Sequence, residues 1–151
     1  MQAFLDEWQD DTCTHKEMIV SEDNEIPMLI DVLDGQHHTL ISFLQSGDDN
    51  VLQVAGGPEH FVVTGRESEK TYNLTKVNIE SEDRVAIVAG GNEGLFEPKY
   101  AVTKQDVINV ALTYFHSATI PADDPRFTWE ILDDNDGDTA EVEDETTETE
   151  N

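Results

Sequence analysis

The chain has 151 residues, of which 34 are Asp or Glu and only 8 are Lys or Arg, for a formal net charge of −26. Ten acids and no base lie in residues 133–151, so residues 1–132 hold 24 acids against 8 bases and carry −16. Binding to phosphate backbones or anionic lipid surfaces needs Lys and Arg, which argues against DNA, RNA and membranes as direct partners. The self-repulsion must be offset by high salt, bound cations or a basic partner.

The N-terminal segment has acids where a signal peptide carries bases, and it has no long apolar run. No stretch of the sequence reaches the roughly 18 apolar residues of a transmembrane helix. The single cysteine, Cys13, rules out an intrachain disulfide and is expected to be a small buried or edge side chain. These features predict a cytoplasmic protein.

Residues 21–35 predict a short helix. An acidic lead-in precedes apolar residues, Pro27 stands near the start, and Gly35 provides a stop signal. Apolar, β-branched runs separated by turn residues follow, and their spacing predicts a sequential antiparallel meander in one sheet. The predicted strands are residues 39–45, 51–55, 60–64, 71–77 and 84–89.

Residues 103–116 have the strongest helical periodicity, and Thr103 with Asp106 forms a capping-box pattern at the start. A last short strand is predicted over residues 127–132. From residue 133 the chain lacks the apolar side chains needed to offset its ordering entropy, which predicts disorder. The expectation is one α+β domain over residues 1–132, with two helices packed on an antiparallel sheet of about five to six strands, followed by an acidic disordered tail.

The sequence contains the pattern Val-Ala-Gly-Gly-x-Glu twice, at residues 54–59 and 88–93. The flanking residues do not match, so two similar turns explain the repetition better than a duplication does. Glycine adopts the positive φ of tight turns without steric cost. The second pattern precedes further strand-like sequence and carries an acid, so it is not interpreted as a phosphate-binding loop.

No motif of catalysis or metal binding stands out. The five histidines and single cysteine lack zinc-ligand spacing, and residues 133–138 place Leu132 in the first ligand position when aligned to a calcium loop. There is no nucleophile elbow and no Cys-His context. The protein is therefore expected to be neither an enzyme nor a metal- or cofactor-binding protein.

Residues 88–102, with their Gly-Gly turn, are followed by a helix that ends in aromatic residues and by a late Trp-Glu pair. This order resembles a family of immunity proteins from bacterial polymorphic toxin systems, often found beside deaminase toxins. The earlier helix and the hairpin of residues 51–64 fit the same α+β layout. The residues that carry the resemblance are Gly90, Gly91, Tyr114, Phe115, Pro121, Trp129 and Glu130.

The resemblance implies a protein that binds a cognate toxin domain and occludes its active site. A toxin that acts on nucleic acid presents a basic groove, to which an acidic inhibitor is electrostatically steered. Exposed turn acids and nearby aromatic residues are the predicted contacts. They are Asp48, Asp49, Glu59, Glu93, Phe96, Glu97 and Tyr100.

Two alternatives remain open from the sequence. The acids and the five lysines also suit a cytosolic domain of a salt-adapted organism, which needs no partner. A nucleic-acid mimic that captures another basic protein would share the inhibitor's chemistry and differ only in its partner.

Overall fold

The computed structural model describes residues 1–45, 50–79 and 81–133. It has an α+β fold, as the sequence predicts. The predicted disordered segment lies outside the described residues, apart from Asp133 at the end of the last strand. The elements are β1 (Gln2–Gln9), β2 (Thr12–Ile19), α1 (Glu25–Asp31), β3 (Leu40–Leu44), β4 (Val51–Gly56), β5 (Phe61–Glu67), β6 (Lys70–Thr75), β7 (Val85–Ala89), β8 (Asn92–Phe96), a 3₁₀ turn (Pro98–Tyr100), α2 (Lys104–Ser117) and β9 (Thr128–Asp133).

Seven strands form the main sheet in the order β2-β1-β3-β4-β5-β6-β9, and β7 and β8 form a separate two-stranded sheet. Every neighbouring pair is antiparallel. The predicted meander is therefore present from β3 to β6, and β9 pairs with β6 as the last strand. The main sheet has more strands than the predicted five to six because an N-terminal hairpin, absent from the sequence prediction, adds β1 and β2.

The assignment of residues 84–89 to the main sheet is wrong. These residues form β7, which pairs with β8 through the two-residue turn Gly90-Gly91. Both glycines have positive φ, 60° and 84°, as a type I′ hairpin turn requires. Because β9 occupies the edge of β6, the β7–β8 hairpin packs against the sheet near β4 instead of extending it.

Both helices pack on one face of the sheet and bury its main core. Thr103 caps α2, with the reciprocal hydrogen bonds to Asp106 that the sequence pattern predicts. The Tyr114 side chain of α2 is fully buried, and its hydroxyl donates to Asn50 Oδ1 at 2.8 Å. Asn50 Nδ2 in turn donates to the Ala118 carbonyl oxygen at 2.8 Å. Asn50 therefore joins the end of α2 to the start of β4.

At the start of α1, the Glu25 side chain accepts hydrogen bonds from the backbone of the acidic segment that precedes the helix. The Glu25 carboxylate accepts hydrogen bonds from the Ser21 and Glu22 amides at 2.7 and 2.9 Å. These amides lower the pKa of Glu25, the Glu22 contact most strongly. The carboxylate thus closes the turn between β2 and α1, and α1 begins at Glu25 within the predicted segment.

Candidate partner-binding surface

The sheet face opposite the helices, here called the open face, carries a row of aligned residues across all seven strands. Six of the seven residues are polar and one, Phe4, is apolar, and we call this row the polar row. Strand register aligns one residue from each strand, and two neighbouring pairs are hydrogen bonded: Gln53 to Ser42 at 3.2 Å and Thr64 to Asn73 at 3.3 Å. A carboxylate stands at each end of the row. In strand order the row is Glu17, Phe4, Ser42, Gln53, Thr64, Asn73 and Glu130.

Beside this polar row lies a short apolar row of Leu40, Ala55 and Val62, one from each of three adjacent strands. The β7–β8 hairpin covers part of it, and Phe96 and Gly90 complete a groove of about 290 Å³. The open face therefore combines a hydrogen-bonding row with an apolar groove, the mixture found in protein-binding surfaces.

The turn of the β7–β8 hairpin packs on the Trp8 side chain of β1. A Cβ atom on Gly91 would lie 2.2 Å from Cζ2 of the Trp8 ring, so this position accepts no side chain without movement. The Gly91 amide also donates to Thr39 Oγ1 at 2.9 Å. The indole packing and the hydrogen bond together set the position of the hairpin over the open face.

Asp6, only 2% exposed, accepts hydrogen bonds from the residues that contact the hairpin turn. Its Oδ1 accepts the backbone amides of Thr39 and Leu40 at 2.7 and 3.0 Å. Its Oδ2 accepts the Trp8 indole N–H at 2.7 Å and also the Thr39 hydroxyl. A buried carboxylate needs this number of donors, so Asp6 holds Trp8, Thr39 and, through Thr39, the Gly91 turn in one network.

A second polar cluster lies at the β9 end of the open face. The Tyr100 hydroxyl donates to Glu130, and Lys99 Nζ lies 3.3 Å from Glu130 Oε2. The Tyr100 hydrogen bond, followed by the Lys99 contacts, lowers the pKa of Glu130. The same hydrogen bond to Glu130 raises the pKa of Tyr100. The cluster ties the 3₁₀ turn to β9 and keeps Glu130 ionised.

Four of the predicted contact residues lie on one continuous segment, β8 and the turn after it. Glu93 and Glu97 are exposed, Phe96 is half-buried in the groove, and Tyr100 is half-buried and bonded to Glu130. Because side chains alternate along a strand, Glu93 lies on the face of the hairpin opposite to Phe96, so these residues are close in sequence but do not share one face. Whether a partner contacts these residues stays a prediction.

The remaining predicted residues are separated from this segment along the chain. Glu59 is exposed in the β4–β5 turn, and its neighbour His60 lines a cleft with Val85 and Pro98, beside the open end of the β7–β8 hairpin. Asp48 and Asp49 lie outside the described residues. Asn50, which follows them, precedes the start of β4, at the opposite end of that strand from Glu59.

Few of the surface acids have a basic partner. Lys104 pairs with Asp31 at 2.6 Å, Arg126 with Asp124 at 2.7 Å, and Lys99 with Glu130. Within the described ranges no such pair is found for Glu93 or Glu97. Acids without partners leave a negative potential that reaches about a Debye length, roughly 8–10 Å at physiological salt.

Sequence reasoning missed Asp6, Trp8, Thr39 and the polar row. Asp6 is one acid among 34 Asp and Glu residues, and nothing local distinguishes it from the exposed ones. The available signal was Asp6 two residues before Trp8 in a strand, a spacing that places both side chains on the same face. The polar row requires the register of all seven strands, which no single segment encodes.

Comparison with protein-family models finds no match to this chain, and comparison with curated proteins finds no similar sequence. Across residues 1–45, 50–79 and 81–133, the structure brings together no group of three or more His, Cys, Asp or Glu side chains able to hold a metal ion. No helix of these residues has the length and apolar character needed to cross a bilayer.

Proposed function

We propose that this protein is an immunity protein, which binds a basic, nucleic-acid-acting toxin domain in the cytoplasm of the producing cell and occludes its active site. The observation that carries the proposal is the open face. It combines a polar row ended by Glu17 and Glu130, an apolar groove and a hairpin with two exposed acids without an ion pair among the described residues. Such a surface complements a basic groove in charge and in hydrogen-bonding capacity.

Electrostatic steering supports the same partner class. Residues 1–132 carry −16, and association between oppositely charged proteins is accelerated about 10- to 1000-fold at low salt. An immunity protein benefits from fast capture, because a toxin that is free even briefly damages the cell. Inhibition requires occlusion alone, so the protein itself needs no catalytic group.

Growth rescue tests the proposal. The C-terminal domain of the protein encoded beside this one is expressed in a host with and without this chain. Rescue of growth and co-purification of the two proteins are expected. A neighbouring domain that is not toxic, or toxicity that persists in the presence of this chain, would overturn the proposal.

Charge reversal in Glu93→Lys/Glu97→Lys is expected to lower the association rate constant at low salt by about tenfold or more. The matched control is Glu69→Lys/Asp123→Lys, which makes the same change in net charge at two exposed acids in the β5–β6 turn and the connection after α2. Stopped-flow binding to the neighbouring domain measures both. Equal losses in the two variants would show that total charge, and not this segment, controls association.

The low lysine content also favours the salt-adapted domain, since only five lysines are present. The response of folding and of association to salt distinguishes an inhibitor from a salt-adapted domain. An inhibitor stays folded at low ionic strength and loses association rate as salt rises, whereas a salt-dependent domain unfolds when salt is removed. Circular dichroism between about 10 mM and about 2 M salt, a range over which the Debye length falls from 30 Å to below 3 Å, distinguishes them.

A further inference from the structure

We infer that the free edge of β2 is a second contact surface, on which an extended strand of the basic partner adds to the sheet. This inference rests on the proposed function and names the main-chain part of the interface. It is independent of the contacts predicted on the β7–β8 hairpin. The supporting observations are the direction of the β2 backbone groups, an adjacent apolar cleft and the charges at the two ends of the strand.

The backbone direction of β2 follows from its neighbour. The Trp8 amide donates to the His37 carbonyl oxygen on the β3 side of β1, and the Met1 carbonyl oxygen accepts from Val20 on the β2 side. Backbone groups alternate along a strand, so the odd-numbered residues of β1 face β2. Their register partners are the even-numbered residues of β2. The N–H and C=O groups directed to the open edge therefore belong to Cys13, His15, Glu17 and Ile19.

This edge is long and regular. β1 and β2 pair over eight consecutive residue pairs, and β2 has β1 as its single strand neighbour in the described part of the chain. Proteins commonly protect such edges with charged side chains, above all Lys, or with Pro, bulges or short strands. β2 has no Pro or Gly, and its register is unbroken. Lys16 and Glu17 are its only Lys, Arg, Asp or Glu residues, and their charges cancel.

An apolar cleft adjoins the C-terminal end of this edge. Ile19 is 61% exposed and Met28 of α1 is 68% exposed. Between them lies a cleft of about 160 Å³, which Met18 and Leu29 also line. Strand addition gains affinity from main-chain hydrogen bonds and specificity from pockets for side chains. The cleft is placed to accept one apolar side chain at the end of an added strand.

The charges around the edge favour a basic partner over a second copy of this chain. Exposed acids stand at both ends of β2, Asp10 and Asp11 in the β1–β2 turn and Glu22 and Asp23 before α1. Two copies, each with a net charge of −26, would bring these acid groups together. A strand with Lys or Arg at both ends, about eight residues or roughly 27 Å apart, places opposite charges there.

Amide hydrogen exchange tests the inference on the unmodified protein. In the free protein the amides of Cys13, His15, Glu17 and Ile19 are expected to exchange fast, while those of Thr14 and Lys16 are protected by β1. In the complex with the neighbouring toxin domain, the four edge amides are expected to slow by at least about tenfold. A complex that forms while these four amides remain unprotected would overturn the edge assignment and leave the proposed function intact.

A proline substitution provides the second test. His15→Pro removes an N–H that faces the open edge, a position where Pro is tolerated in edge strands, and it obstructs an added strand. His15→Ala keeps the N–H and serves as the matched control. His15→Pro is expected to raise the Kd for the toxin domain by at least about tenfold with little change for His15→Ala. Unchanged binding by a folded His15→Pro variant would contradict the inference.

Sedimentation velocity of the free protein tests whether a second copy of this chain, instead of a partner strand, binds the edge of β2. A monomer is expected for the wild type and for both variants. A wild-type dimer that His15→Pro converts to a monomer would assign the edge to a second copy and overturn the partner-strand inference. If the wild type binds no domain encoded beside it, the proposed function itself fails.

Discussion

Asp6→Ala is expected to destabilise the fold by about 3–5 kcal/mol, a large fraction of the roughly 5–15 kcal/mol typical of a domain. The substitution leaves the amides of Thr39 and Leu40 and the Trp8 indole N–H without their acceptor. Each buried donor left unsatisfied costs about 1–3 kcal/mol. Urea denaturation at pH 7, monitored by circular dichroism, measures the loss.

Asp6→Asn removes only part of the hydrogen-bond network around Asp6. An amide oxygen at the Oδ1 position still accepts from Thr39 and Leu40, but the amide nitrogen at the Oδ2 position cannot accept from Trp8. We expect a smaller loss, about 1–3 kcal/mol, with faster solvent exchange of the Trp8 indole proton. Trp129, whose indole donates to the Pro121 carbonyl oxygen at 3.1 Å, is the internal control. A loss below about 1 kcal/mol for Asp6→Ala would contradict the assigned network.

Gly91→Ala is expected to destabilise the protein by about 2–5 kcal/mol. Its φ of +84° is strained for alanine, which costs about 1–2 kcal/mol. Its Cβ would also overlap the Trp8 ring at 2.2 Å, and overpacking of this kind adds about 1–3 kcal/mol. The free energy of unfolding from urea titration reports the sum.

Gly90→Ala is the matched control for this substitution. Its φ is +60°, but the nearest atom to an added Cβ is Cδ2 of Leu40 at 4.0 Å, so backbone strain alone applies. We expect a loss of about 1–2 kcal/mol. In a Trp8→Leu background the difference between the two alanine variants should fall, as a double-mutant cycle measures. Equal losses in the free energy of unfolding for Gly90→Ala and Gly91→Ala would show that packing on Trp8 does not position the hairpin.

The Asp6 network and the Gly91 contact with Trp8 bear on function because both hold the β7–β8 hairpin in place. Trp8, Thr39 and Asp6 hold the β7–β8 hairpin. Phe96 of the hairpin lies in the groove against the sheet, whereas Glu93 is exposed on the other face of the hairpin and Glu97 is exposed just after β8. A pre-positioned contact surface loses less conformational freedom on binding than a mobile one. The buried network therefore serves the proposed partner surface as well as stability.

Segments whose structure depends on local signals were predictable from the sequence. The Thr103–Asp106 capping box and the i, i+3, i+4 apolar spacing that follows lie within a few residues of each other, and α2 forms as expected. The meander from β3 to β6 was also predictable, because its strands are neighbours in the chain and its turns carry Gly, Pro and acids.

The N-terminal hairpin was not predictable from alternation. In β1 the apolar residues Phe4 and Leu5 are adjacent and lie on opposite faces, so no period of two is visible. In β2 most side chains are exposed, because an edge strand gains stability from its partner strand more than from the core. Sheet membership of β7 is likewise non-local, since it depends on β9 occupying the edge of β6.

The candidate surface was predictable only in part. The acidic β8 hairpin with its aromatic residue was identified from Glu93, Phe96 and Glu97, which are close in sequence. The role of Glu130 as the end of the polar row depends on five intervening strands. Burial of Asp6 depends on a contact with Thr39, which is 33 positions away.

The proposed inhibition is measured by titrating this protein into an assay of the neighbouring domain's activity on nucleic acid. The probe is the purified C-terminal domain encoded beside this chain, assayed on DNA and on RNA, in about 50 mM and about 500 mM salt, which span a Debye length of about 14 Å to about 4 Å. We predict complete loss of activity at saturating protein, with slower association at the higher salt. Activity that persists at saturating protein would contradict the account.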